Sequence, residues 1–193
     1  MSARTSTAVK SNRSLITSIS KSVLFAVLMW LAAAAGQIAI PGTPVPITLQ
    51  TFMVMLAALM LDWRQAAGAV VLYLGAGAAG LPVFAGGAST AALFGPSAGF
   101  LIGFLPAVIV TALLRGTADI SSPIRAAITV TRYFGAAFIG CVVIVYAFGI
   151  TIQSLLTHAP ITAVTIASMG FVIGDIVKAA VATLAAAGLS KLS

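Results

Sequence analysis

The stretch Gly174-Asp175-Ile176-Val177-Lys178 stands in the middle of a long apolar segment that runs from about Ile161 to Leu189. The chain has three acidic residues in all, and this apolar segment contains one of them. On an α-helix, positions three apart lie on the same face, so Asp175 and Lys178 can reach one common partner. Charges at membrane depth are costly and usually mark a ligand or ion site. We therefore predict a binding site at this pair; the alternative is an internal ion pair that only packs helices together.

The composition around this segment is typical of a helical membrane protein. Of the 193 residues, 61% are hydrophobic and 7% are charged, whereas a soluble domain carries about 25% charged residues. The apolar runs are continuous and do not alternate as barrel strands would. The length suits about six helices of about 20 residues joined by short loops. The predicted fold class is therefore all-α, with six transmembrane helices.

The apolar runs divide the chain into a basic N-terminal arm at 1–21 and a six-helix membrane domain at 22–193. The arm is rich in Ser and Thr and carries four positive charges, so we expect it to be mobile, helical at most briefly, and cytoplasmic. The Ala33–Ala35 run resembles a signal cleavage site, but further spans follow it, which favours a retained helix. The predicted spans are approximately 22–40, 47–61, 66–81, 98–114, 133–153 and 161–189.

The distribution of basic residues predicts the orientation. In the six-span arrangement, nine of the ten Lys and Arg residues fall on the side of the termini, and the remaining one is Lys178. The other three connecting loops contain no charge. By the positive-inside rule, both termini face the cytoplasm and the charge-free loops lie together on the outside. The basic residues form no cluster with aromatic residues, so we expect no nucleic acid partner.

Two of the charge-free loops are typical of a lid. The sequence Pro41-Gly42-Thr43-Pro44-Val45-Pro46 cannot continue a helix. The loop from Pro82 to Pro96 is long and rich in Gly and apolar residues, as binding loops often are. The residues that we assign to the outer lid loops are Pro46, Phe84, Gly86 and Gly87.

Gln50 and Tyr73 are polar groups on apolar segments that approach the same outer side, so both are candidate ligand contacts. Either could instead anchor at the headgroup boundary, where tyrosine is enriched. That explanation suits Gln50 less well, because a buried amide needs hydrogen-bond partners.

The sequence does not support a catalytic site, a nucleotide-binding site or a metal site. The stretch 75–80 matches G-x-G-x-x-G, but it lies inside a predicted span, and no acidic residue stands between Asp62 and Asp119. The sequence contains no phosphate-binding G-x-x-x-x-G-K-[ST] motif. Cys141 is the only cysteine and His158 the only histidine. We therefore predict no catalytic residue, no metal site and no cofactor. We expect the glycines to thin the helix, either for close packing or for a ligand.

The first span contains small residues four apart, a spacing that lets another helix approach closely. The residues concerned are Ala32, Ala35, Gly36 and Ala39. We predict that they form a smooth surface on which a second subunit packs.

Four motifs together resemble the BioY family, the biotin-binding S components of energy-coupling factor (ECF) transporters. They are P-V-P-I-T-L-Q-T at 44–51, G-L-P-V-F-A-G-G at 80–87, G-P-S-A-G-F at 95–100 and G-D-I-V-K at 174–178. They occur in the family's order and spacing and cover about residues 22–190.

The resemblance implies a six-helix S-component fold with a biotin site closed by the outer loops, in a prokaryotic plasma membrane. Asp175 and Lys178 match the family's acid and lysine on the last helix. The resemblance also implies that the first helix contacts a transmembrane coupling subunit, which two ATPase subunits drive. Two alternatives remain: a stand-alone transporter of biotin or another small carboxylated vitamin, and an intramembrane enzyme that uses Asp175 as a base.

Overall fold

Six helices make up most of the chain that the computed structural model describes, which is residues 2–190, with side chains from Leu15 onward. We number them in chain order as α1 Ser2–Ala34, α2 Gln50–Met60, α3 Trp63–Ala78, α4 Ala98–Leu114, α5 Pro123–Thr157 and α6 Ile161–Leu189. The predicted all-α fold with six helices is therefore confirmed. Lys191, which we predicted to be cytoplasmic, lies outside the described residues.

Helix α1 runs through Ser2–Ala34, so the described part of the predicted arm at 1–21 is helical and the helix of the predicted span 22–40 ends at Ala34. Polar residues on either side of the predicted arm boundary are hydrogen-bonded to α3. The Ser22 hydroxyl donates to the Gln65 carbonyl at 2.9 Å, and the Gln65 side-chain amide donates to the Ser18 hydroxyl at 3.0 Å. The helix stops before Gly36, whose φ of +124° is a conformation that side chains other than glycine's rarely allow.

Helices α3 and α5 begin earlier than predicted because polar residues cap their first turns. Asp62 accepts hydrogen bonds from two backbone N–H groups, so α3 begins at Trp63 and not at residue 66. Ser122 likewise accepts a backbone N–H, and Pro123 occupies the first turn, so α5 begins ten residues before the predicted residue 133. The bounds of α4 and α6 coincide with the predicted spans 98–114 and 161–189.

Helix α5 changes its hydrogen-bonding pattern partway along. It is α-helical at Pro123–Ala137, π-helical over the seven residues Phe138–Ile144, and α-helical again at Val145–Thr157. A π-helical turn inserts extra backbone into the helix and is often found near functional sites. This segment ends two residues before Tyr146, whose role is described below.

Two loops lie at the same end of the helix bundle. The first loop, residues 35–49, contains an antiparallel pair of short strands, β1 Gln37–Ile38 and β2 Ile47–Thr48, which the sequence analysis did not predict. Helix α2 therefore begins at Gln50 and not at residue 47. The second loop, residues 79–97, contains 3₁₀ turns at Ala85–Gly87 and Thr90–Leu93.

Three helical stretches are long and apolar enough to cross a membrane: Leu15–Ala34 within α1, α5, and α6. Helices α2 and α4 are apolar but shorter. The 11 residues of α2 rise about 16 Å at about 1.5 Å per residue, which is less than the roughly 30 Å hydrocarbon core. The first loop must therefore supply part of that crossing. Irregular backbone is tolerated at such depth where it lines a cavity, and residues 44–48 do so.

The predicted orientation can be tested by thiol labelling. Cys141 is buried, so single cysteines at Ser89 in the second loop and at Ser121 before α5 can be introduced in a Cys141→Ala background. With both termini in the cytoplasm, Ser89→Cys should react with an impermeant reagent added outside intact cells. Ser121→Cys should react only after the cells are opened. The reverse pattern would refute the orientation.

Candidate functional site

Helix α6 turns Asp175 toward the interior of the bundle. Its buried residues recur every three or four positions, which is the period of one helix face. They include Val164, Ser168, Phe171, Asp175, Ala179, Ala182 and Ala186. The neighbouring Ile173, Ile176 and Val177 are exposed on the outer surface. A charged residue thus occupies the middle of an otherwise weakly polar, inward-facing stripe.

Asp175 accepts hydrogen bonds from three side chains. Its Oδ1 accepts from Lys178 Nζ at 2.9 Å and from the Thr51 hydroxyl at 3.0 Å. Its Oδ2 accepts from the Tyr146 hydroxyl at 2.8 Å. The Asp175 side chain is 6% exposed. A buried carboxylate needs such donors, because an unpaired charge in an apolar interior is strongly disfavoured.

Lys178 is fully occupied by protein acceptors. In addition to Asp175, Nζ donates to the Thr48 carbonyl at 2.8 Å and to the Thr51 hydroxyl at 2.9 Å. An ammonium group has three donors, and all three are used here. Thr48 lies in β2, so the bond from Lys178 joins the first loop to α6. The predicted pairing of Asp175 with Lys178 is therefore present, and it includes a loop contact that the sequence did not indicate.

Gln50, at the start of α2, links the site to α3. Its Oε1 accepts from the Thr48 hydroxyl at 3.0 Å, and its Nε2 is hydrogen-bonded to the Tyr73 hydroxyl. Tyr73 in turn donates to the Val83 carbonyl of the second loop at 2.9 Å. Gln50 lines the cavity described next, whereas Tyr73 does not. Of these two predicted ligand contacts, only Gln50 can be reached from the cavity. Tyr73 lies outside the cavity lining and holds Gln50 by a hydrogen bond.

A cavity of about 230 Å³ lies between this hydrogen-bonded group and the two loops. Its polar lining includes Gln50, Thr51, Tyr146, Asp175 and Lys178, and its apolar lining includes Phe84, Phe100, Leu101, Phe104, Val145 and Phe171. The Phe100 ring meets the rings of Tyr146 and Phe171 edge to face, with centroids 6.2 Å apart in both cases. An apolar chamber with a few convergent polar groups is the usual form of a small-molecule site.

The four predicted lid residues divide into two groups. Pro46 and Phe84 line the cavity, whereas Gly86 and Gly87 do not. Gly86 has a φ of +67° and faces the Gln37 side chain of the first loop, so its absent side chain allows the two loops to meet. We expect Pro46 and Phe84 to contact a ligand and the two glycines to shape the loop.

The small residues of the first predicted span do not form one helix surface, so the basis of that prediction is wrong. Helix α1 ends at Ala34, which leaves Ala35, Gly36 and Ala39 in the first loop. Ala32 remains on the helix but is buried at 5% exposure. The spacing of four has a packing meaning only within a continuous helix, and the turn at Gly36 interrupts it.

Sequence reasoning did not assign Thr51, Tyr146, Phe100 or Phe171 to the site. Thr51 follows Gln50 on α2, so its polarity at the start of an apolar helix was an available signal. Tyr146 stands in a run of apolar residues in α5, and a tyrosine there has many possible packing roles. The two phenylalanines could not be told from other core residues, because apolar runs do not indicate which face borders a cavity.

The remaining acidic residues have local roles elsewhere. Asp62 caps α3, and Asp119 pairs with Arg125 at 2.7 Å in the loop before α5. Within residues 2–190, no group of three His, Cys, Asp or Glu residues is placed to hold a metal ion.

The sequence matches the model of the BioY family over residues 4–193. A biotin transporter BioY of Rhizobium etli is 37% identical over 162 residues, which cover 83% of this chain and 86% of that protein. A biotin transporter BioY of Rhodobacter capsulatus is 41% identical over 175 residues, covering 84% and 87% of the two chains.

The fold is also similar to a crystal structure of the S-component for biotin from an ECF-type ABC transporter. The TM-score is 0.84, and the match covers 93% of this chain and 94% of that one at 24% sequence identity. This structural likeness bears on the fold, and it confirms the predicted S-component-like arrangement of the six helices.

Proposed function

Because this chain belongs to the BioY family, we propose that it is the biotin-binding membrane component of an uptake system. The observation that carries this proposal is the buried Asp175–Lys178 pair facing a cavity that two loops cover. A site of this kind can bind a small molecule without converting it chemically. The relatives from Rhizobium etli and Rhodobacter capsulatus are biotin transporters, which supports a transporter component over an intramembrane enzyme.

The cavity suits the chemistry of biotin. The ureido ring of biotin offers two N–H donors and one carbonyl acceptor, its thioether ring is apolar, and its alkyl tail ends in a carboxylate. Asp175 and Gln50 supply acceptors for N–H groups, and the aromatic rings of Phe84, Phe100 and Phe171 border the same space. Hydrogen bonds to a charged partner are strong where water is excluded.

Electrostatics favours one orientation of the ligand. The carboxylate of Asp175 is buried, so a second carboxylate placed beside it would be repelled in a medium of low dielectric constant. We therefore infer that the ureido ring faces Asp175 and that the carboxylate of biotin lies away from it. Lys178 can bind the ligand directly only by releasing one of its three present acceptors, of which the Thr48 carbonyl belongs to the first loop.

We further propose that biotin enters from the outer side and that release into the cytoplasm requires an ECF module, consisting of a transmembrane coupling subunit and two ATPase subunits. The orientation follows from the positive-inside rule. The dependence on the module is supported by membership of the BioY family and by the likeness to the S-component for biotin from an ECF-type ABC transporter.

The test combines binding with transport. Isothermal titration of the purified chain with biotin should show saturable binding at one site. Liposomes that contain this chain alone should accumulate no radiolabelled biotin, and those that also contain the ECF module should accumulate it when ATP is supplied. Absence of binding would refute the proposal. Uptake by the chain alone would instead favour the stand-alone transporter.

A further inference from the structure

The partners of Asp175 leave one acceptor position open. A carboxylate has about four lone-pair positions, two on each oxygen. Oδ1 uses both, for Lys178 and Thr51, whereas Oδ2 accepts only from Tyr146. Among the described residues, nothing fills the second lone pair of Oδ2. A ligand N–H that bonds to Asp175 must therefore approach Oδ2, the oxygen that Tyr146 holds.

We propose that Tyr146 is a positioning residue of the ligand site. Its hydroxyl donates to Oδ2 and fixes the rotation of the carboxylate, so that the free lone pair of Oδ2 is presented to an N–H donor in the cavity. Tyr146 lines that cavity and is 7% exposed. This inference rests on the proposed function, because it assigns the ureido N–H of biotin to one named oxygen.

The π-helical segment of α5 sets the direction in which Tyr146 points. Buried residues of α5 recur every four positions, at Thr129, Tyr133, Ala137, Cys141, Val145, Gly149 and Gln153. In an α-helix of 3.6 residues per turn, each step of four rotates the stripe by about 40°. The additional residue of a π-helical turn reverses about 100° of this rotation of the stripe around the helix axis. Without it, Tyr146 would be rotated away from Asp175.

Contacts with α4 hold the π-helical segment in place. The Thr111 hydroxyl donates to the Ala136 carbonyl at 3.2 Å, at the point where the spacing of the backbone bonds changes. A Cβ on Gly140 would overlap Thr111 and the Ala107 carbonyl, so only glycine permits this approach. The π-helical segment is thus part of the packing between α4 and α5, and this packing sets the position of Tyr146.

The ring of Tyr146 is oriented independently of its hydroxyl. It packs edge to face against Phe100, with the two rings inclined at 77°. Tyr146→Phe therefore removes the hydrogen bond while it keeps the ring contact. Tyr133→Phe is the matched control, because Tyr133 is a buried tyrosine of the same helix whose hydroxyl accepts from Arg115 at 3.2 Å and lies outside the cavity lining.

The experiment measures the affinities of wild type, Tyr146→Phe and Tyr133→Phe for biotin and for biotin methylated on either ureido nitrogen. Tyr146→Phe should bind biotin about tenfold more weakly, as expected when a hydrogen bond to a charged group no longer orients that group. Tyr133→Phe should bind as the wild type does. Methylation of the nitrogen that meets Oδ2 should weaken binding to the wild type strongly and to Tyr146→Phe much less.

A role limited to stability predicts a different result, in which Tyr146→Phe melts at a lower temperature and the penalty for methylation is the same as in the wild type. Equal penalties, or unchanged biotin affinity in Tyr146→Phe, would overturn the inference and leave the proposed function intact. Failure of the wild-type chain to bind biotin would overturn both.

Discussion

Replacing Lys178 by methionine should weaken biotin binding by roughly 30-fold or more. Methionine keeps much of the length of the side chain but removes all three donors, so Asp175 loses this cationic partner and the Thr48 carbonyl of the first loop loses its bond to α6. Leaving one member of a buried charge pair without its partner costs about 2–5 kcal/mol. Each 1.4 kcal/mol corresponds to about tenfold in affinity. Isothermal titration on folded protein measures the effect.

Lys21→Met is the matched control, because Lys21 is exposed on α1 and the substitution is chemically the same. It should leave biotin affinity unchanged. Asp175→Asn keeps the shape and one acceptor oxygen, so it should be milder than Asp175→Ala. If the pair only packs helices, Lys178→Met will melt at a lower temperature while the folded protein binds biotin normally. Normal binding would exclude Lys178 from the ligand site.

Gly77→Ala should also impair binding, by displacing Phe84 from the cavity wall. A Cβ on Gly77 would overlap the Phe84 ring, which is 2% exposed and packs edge to face on Tyr73 with centroids 5.3 Å apart. The ring therefore cannot move without a shift of the second loop. Overpacking of this kind destabilises a protein by about 1–3 kcal/mol. We expect the displaced wall to weaken biotin binding by a comparable amount, about 5- to 150-fold, and to speed its dissociation.

Gly75 provides the control two residues earlier in α3, because a Cβ there would meet nothing within 4 Å. Gly75→Ala should bind biotin normally and melt at the same or a slightly higher temperature, since alanine is favoured over glycine within a helix. A second variant, Gly77→Ala with Phe84→Leu, should recover part of the melting temperature by relieving the overlap. Equal affinities for Gly77→Ala and Gly75→Ala would mean that Phe84 is not a fixed part of the wall.

The glycines of α3 show that the sequence can indicate close packing without indicating which glycine is packed. The sequence excluded a dinucleotide site at 75–80 because the motif lies in an apolar span without a following acid. It also indicated close packing, which Gly77 confirms and Gly75 does not. Which glycine is contacted depends on where the second loop returns to the helix, and local sequence contains no information on that.

The sequence by itself determined the membrane class, the six helices, and the placement of Asp175 and Lys178 on one face of the last helix. These features depend on hydropathy and helical periodicity, which act over neighbouring residues. Helix ends were less accurate, because they depend on caps such as Asp62 and on single residues such as Gly36.

Only the tertiary structure decided which side chains complete the site. Tyr146 reaches Asp175 across 29 positions of sequence, and Thr51 reaches it across 124. Tyr73 lies behind Gln50 although both are polar residues of apolar segments. Such contacts depend on helix rotation, on the π-helical turn of α5, and on how closely small residues let two backbones approach. These quantities arise from packing among helices distant in sequence, so no pattern within one segment specifies them.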